Sequence, residues 1–74
     1  MSKRFKFIIA SVPHRERDVC EIWDGNVAWA ELSHDDDDVV RVELYPRRDG
    51  KFWEFTLDEL MDALLQAKFR LVGG

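Results

Sequence analysis

The chain has 74 residues, enough for one domain with a small core and near the lower range for folding without staples. Its 46% hydrophobic content and three Trp exclude an intrinsically disordered segment, and the single Cys20 excludes an internal disulfide framework. A formal charge of −4 argues against nucleic acid and acidic membrane surfaces as partners.

Met1 to Val12 starts basic and turns apolar, as a signal peptide does. The apolar run Phe7-Ile8-Ile9-Ala10 is too short for the core of one, and Pro13-His14-Arg15 is a poor cleavage site. No run is long enough to cross a bilayer. The expectation is a cytoplasmic protein with no membrane contact; the lone Cys fits a reducing compartment.

Phe5 to Val12 reads as the first strand. Phe5, Phe7 and Ile9 alternate with Arg4 and Lys6, and Ile8, Ala10 and Val12 add apolar groups to the second face. Pro13 ends it, and His14 to Asp18 is a charged loop. Val19 to Asp24 and Val27 to Ser33 are the second and third strands, joined at the hairpin signal Asp24-Gly25-Asn26. A two-residue Asp24-Gly25 turn would pair Ile22 with Val27. A three-residue loop with a left-handed bulge would pair Trp23 with Val27. The second is the expectation: it places Cys20, Ile22, Ala28, Ala30 and Leu32 on one face, where small Ala side chains admit a helix. Val19, Trp23, Val27 and Trp29 then share the other face.

His34 to Asp38 is an acidic loop. Val39 to Tyr45 is the fourth strand, with Val40, Val42 and Leu44 inward and Arg41, Glu43 and Tyr45 outward. Pro46 ends or edges it, and Arg47-Arg48-Asp49-Gly50 turns the chain. Lys51 to Phe55 is the fifth strand. Pairing Leu44 with Phe55 and Tyr45 with Glu54 sends Trp53 and Phe55 inward and Phe52 outward.

Thr56 to Val72 is a helix. Thr56-Leu57-Asp58-Glu59 forms a capping box, with Phe55 and Leu60 at the staple positions and Asp58 and Glu59 on the positive end of the dipole. Leu60, Met61, Leu64, Leu65, Leu71 and Val72 make the expected apolar stripe, with Asp62, Gln66 and Arg70 opposite. Lys68 projects within the stripe and snorkels out. Gly73 is a natural left-handed stop. The order βββββα makes an α+β fold, an antiparallel meander of four to five strands with one helix across one face, within a single domain over residues 1–74.

Chemistry-bearing groups are sparse. Cys20 lies mid-strand beside Glu21 and reads as a buried small hydrophobe. Ser11 and Ser33 have no identifiable base. His34 with Asp35, Asp36, Asp37 and Asp38 suggests a hard-cation site. The run lacks the alternating spacing, central Gly and distal Glu of a calcium loop, so a solvated acidic loop is expected, with no metal and no cofactor. Glu21, Glu31, Glu43 and Glu54 can face Arg41 or Lys51 across the sheet. With no acid, base and nucleophile set, an enzyme is not expected.

Leu71-Val72-Gly73-Gly74 resembles the tail of ubiquitin-like modifiers and small sulfur carriers, which would imply adenylation of a terminal carboxylate. Those families place a strand before the tail, whereas here the tail leaves a helix, so Gly73 reads as its cap. The order of strands followed by a C-terminal helix resembles the Whirly-type and coactivator-type single-strand DNA binders, which would imply a basic, aromatic sheet face. Trp23, Trp29, Tyr45 and Phe52 would be its aromatic part; Arg41, Arg47, Arg48 and Lys51 would be its basic part, beside Glu43, Asp49 and Glu54.

The sheet face away from the helix should be polar, yet on this register it carries Trp23, Trp29, Val27, Tyr45 and Phe52, beside Arg41. That surface, or the adjoining edge strand, is the candidate for contact with another protein, most simply a second copy. A basic partner neutralised by Asp35 to Asp38 is a further expectation, from charge alone. Single-stranded nucleic acid on the aromatic face is the alternative.

Overall fold

Two residues of turn set the register of the sheet. Gly25 and Asn26 form the corner, with Gly25 at φ 64°, and Asp24 pairs with Val27 across it. That is tighter than the three-residue loop expected. A computed structural model describes residues 4–13, 16–34 and 39–73. Its strands are β1 (Phe5–Ala10), β2 (Val19–Asp24), β3 (Val27–His34) and β4 (Val40–Leu44), followed by one helix, α1 (Leu57–Val72). The strands run antiparallel in sequence order, β1-β2-β3-β4, and α1 packs across one face over β1, β2 and β3, giving the α+β architecture expected. No helix among the described residues is long and apolar enough to cross a membrane.

A bulge corrects the sequence reading of the first hairpin. Trp23 pairs with Ala28, but Ile22 pairs with Ala30, so Trp29 is an extra residue in β3. An extra residue lets two successive side chains lean to one side. Trp29 and Ala30 both join the face under α1, and Trp29 is 1% exposed. Ala28 shares the face of Trp23 instead, and Val27 sits beside the turn. The indole of Trp29 packs 4.4 Å from Phe55 and 5.3 Å from Phe5, centroid to centroid. Burying that ring against two others outweighs strict alternation, because each aromatic carries a large hydrophobic payload.

On the covered face the rows are Phe7, Ile22, Ala30, Leu44 and then Ile9, Cys20, Leu32, Val42. Cys20, Ile22, Ala30 and Leu32 are fully buried there against Ala63 and Ala67 of α1. The helix is rotated relative to the expected stripe. Ala63 and Ala67 touch the sheet, flanked by Leu60, Leu64 and Leu71, while Met61, Leu65, Phe69 and Val72 face water. Small residues at the contact let the backbones approach closely, so they take the central position. Arg70, expected on the far side, lies 5.0 Å over the Phe7 ring. The capping box is present: Thr56 Oγ1 accepts from the Glu59 N–H at 3.1 Å, and Glu59 Oε1 accepts from the Thr56 N–H at 3.0 Å. Gly73 closes the other end at φ 77°, its N–H donating to the Phe69 carbonyl at 2.8 Å.

The fifth strand is not seen. Residues 51–55 run without a ladder to β4, whose continuation is interrupted by Pro46. The expected alternation survives without pairing. Trp53 and Phe55 turn into the core and Phe52 turns out. A pattern of alternating burial therefore needs an extended chain but not a sheet.

Candidate functional site

Trp53 is the anchor of the chain after β4. Its Nε1–H donates to the Tyr45 carbonyl at 2.8 Å and its ring stacks on Phe55, 6.0 Å between centroids. The turn before it is tied by Asp49. Asp49 accepts two hydrogen bonds from the Arg47 guanidinium, Nε donating to Oδ1 at 3.0 Å, and one from the Lys51 N–H at 3.0 Å. Those bonds, the Arg47 pair first and the Lys51 N–H second, hold the Asp49 carboxyl below its ordinary range. Arg47 in turn stacks over Trp53, 5.2 Å from its centroid. Flanked by this anchored residue, Phe52 extends into solvent and is 91% exposed.

Tyr45 is held at the end of β4 by its N–H, which donates to the Trp29 carbonyl at 3.0 Å. It lies on the face away from α1, and its hydroxyl donates to Glu31 Oε1 at 2.7 Å. Burial, then that bond, then the charges of Glu31, Glu21 and Glu43 push the phenol well above its ordinary range. It is a neutral donor at any physiological pH. Trp23 lies on the same face and donates from Nε1 to Glu21 Oε1 at 3.1 Å. Glu21, Glu31 and Glu43 stand side by side in one row beyond Ile8.

Trp23, Ala28, Tyr45, Arg47, Phe52 and Trp53 line an open groove at the hairpin end of the sheet, about 1150 Å³ in volume. Arg4 and Arg48 add positive charge to its walls, and Asp24, Asp49 and Glu54 add negative charge. Arg4 is bound to Asp24 at 2.7 Å and to Glu59 at 3.2 Å, which ties β1 to the hairpin and to the start of α1.

Of the surface expected from sequence, Trp23, Tyr45 and Phe52 come together in this groove. Trp29 is buried in the core instead, because the bulge turns it under α1. Arg41 lies on β4 opposite Ser33, away from the groove. The groove also contains Arg47, expected only as part of the basic set of the alternative reading, and Trp53, expected inward. The signal for Trp53 was the Asp49-Gly50 turn, which brings it back beside Tyr45. Cys20 is fully buried, and burial raises its thiol above the ordinary value, against thiolate character. His34 Nδ1 lies 3.4 Å from Arg17 Nη1. The acidic contact loop Asp35, Asp36, Asp37 and Asp38, with His14, lies outside the described residues. Comparison with protein-family models, with curated proteins and with solved structures gives no significant match.

Proposed function

We propose that the chain is a non-enzymatic binding module that takes a segment of another protein into the groove beside Phe52. Phe52 is the observation that carries this reading. Its ring stands 91% exposed next to a residue pinned on both sides. Covering a ring of that size stabilises a complex by roughly 1.5–3 kcal/mol. The walls hold Trp, Tyr and Arg, the residue types that dominate protein–protein binding energies. Mixed charge on those walls favours a polypeptide over a polyanion. The lone buried Cys20 suits a reducing compartment such as the cytoplasm.

The test is a selection of phage-displayed random peptides against the immobilised chain. The selected sequences should converge, and a synthetic peptide of that motif should change the tryptophan fluorescence. Phe52→Ala should weaken that peptide by about tenfold or more, the scale of an interface anchor. Absence of convergence, or a peptide indifferent to Phe52→Ala, discards the reading. A salt-sensitive fluorescence change with oligothymidylate that Phe52→Ala abolishes would move the groove to single-stranded nucleic acid.

A further inference from the structure

The sheet has two edges, β1 and β4, and they differ in kind. Helix α1 lies over β1 to β3, so the covered-face side chains at the β4 edge stay open: Val42 is 45% exposed and Leu44 68%. The backbone of β4 has a definite polarity. Tyr45 donates its N–H to the Trp29 carbonyl of β3. In an antiparallel ladder alternate residues turn their N–H and C=O the same way. Tyr45, Glu43 and Arg41 therefore address β3. Val40, Val42 and Leu44 address the outer side.

The strand reads Val40-Arg41-Val42-Glu43-Leu44. Laid antiparallel to a second copy of itself with Val42 opposite Val42, it places Val40 opposite Leu44 and Arg41 opposite Glu43. The three residues whose backbone points outward are then the hydrogen-bonded pairs, which gives six main-chain bonds across the join. A two-fold axis perpendicular to the sheet keeps each face on its own side, so only registers shifted by two residues compete. One puts Arg41 opposite Arg41 and the other Glu43 opposite Glu43, and like charges directly opposite destabilise a pair. The backbone polarity and the charge order thus select the same register. The β1 edge has no such property. Lys6 is the only charge in Phe5–Ala10, and in no register does it meet a carboxylate of the second copy's β1.

The row on the open face adds to this. Glu21, Glu31 and Glu43 stand side by side, and the next position in the joined sheet is Arg41 of the second copy.

We infer that the chain forms a symmetric homodimer through β4, a continuous eight-stranded antiparallel sheet with both helices on one face. Sedimentation equilibrium of the whole chain from micromolar to millimolar concentration should give twice 8.7 kDa at the upper end. Arg41→Glu alone and Glu43→Arg alone should each weaken association by about tenfold or more, from cross-strand repulsion at two symmetric sites. Mixing the two single variants should restore a dimer, because every cross-pair is then opposite in sign. No intrachain role of either residue produces that rescue on mixing. Circular dichroism confirms that each variant is folded before it is weighed. A wild-type monomer throughout the range overturns the inference, as does a dimer indifferent to the two substitutions or single variants that fail to rescue one another. The groove reading is separable: Phe52→Ala should leave the dimer intact, and Arg41→Glu should leave peptide binding intact.

Discussion

The two faces of the sheet hold aromatic rings by different means. Under α1, Trp29, Phe5 and Phe55 pack ring against ring, and the Trp29 Nε1–H is buried with no acceptor among the described residues. On the open face the rings of Trp23 and Tyr45 are tethered through their polar tips, to Glu21 and to Glu31. The first arrangement is fixed by exclusion of water and the second by direction. The covered face therefore holds its rings by mutual packing, and the other face with the loop beyond it is the one proposed for recognition.

Trp29→Ala is the largest test of that division. It should cost about 3–5 kcal/mol, the usual price of emptying a buried indole site. That is a large share of the roughly 5–15 kcal/mol that holds a small domain together. Chemical denaturation of Trp29→Ala beside Trp23→Ala gives the comparison directly. Equal losses would mean that the faces are not distinct. Trp29→Phe should cost much less than Trp29→Ala, since most of the ring area stays and the donor removed has no acceptor among the described residues.

Ala67→Leu probes the same face from the helix. Ala67 is 0% exposed between α1 and the sheet. Added methylenes there have no room, and overpacking costs about 1–3 kcal/mol. A thermal melt that falls for Ala67→Leu but not for Leu65→Ala would confirm which side of α1 faces inward, because Leu65 is 63% exposed.

Tyr45→Phe tests the tether on the open face. Loss of a hydrogen bond to a carboxylate should cost roughly 1.5–3 kcal/mol at neutral pH. The pH dependence has a definite sign. The folded phenol titrates above its unfolded value of 10.0, so its contribution is fully present below pH 10 and is lost as pH climbs through the folded value. Wild-type stability should therefore fall on the alkaline side of pH 10, and Tyr45→Phe should flatten that fall. An unchanged alkaline limb would remove Tyr45 from the buried network.

What could be read from the chain alone follows from how local each signal is. The capping box from Thr56 to Glu59 closes within four residues, and it forms as read. The alternation of β4 and the outward turn of Phe52 were legible for the same reason. The bulge at Trp29 was not, because it forms when that indole finds Phe5 and Phe55, two residues distant in sequence. Helix rotation was misread because Leu and Met weigh heavily in a periodic pattern, whereas contact with the sheet belongs to Ala63 and Ala67. Of the groove, Trp23, Tyr45 and Phe52 were visible as rings. Arg47 was visible two residues from Tyr45, whereas Trp53 depended on the turn and on its bond to the Tyr45 carbonyl.

The smallest expected effect is the sharpest test of the division between faces. Phe52 and Trp53 are adjacent rings with opposite surroundings. Trp53 is half-buried on Phe55 and hydrogen-bonded, whereas Phe52 touches little and is 91% exposed. An exposed ring contributes almost nothing to folding, so Phe52→Ala should shift the unfolding free energy by less than about 0.5 kcal/mol. Trp53→Ala, measured alongside, should cost several times more, because it removes a stacked ring and leaves the Tyr45 carbonyl without its donor. A ring that is neutral to stability yet decisive for peptide binding is one kept for contact. Should Phe52→Ala instead cost as much as Trp53→Ala, Phe52 would be packed in solution, and the groove would lose the residue that defines it.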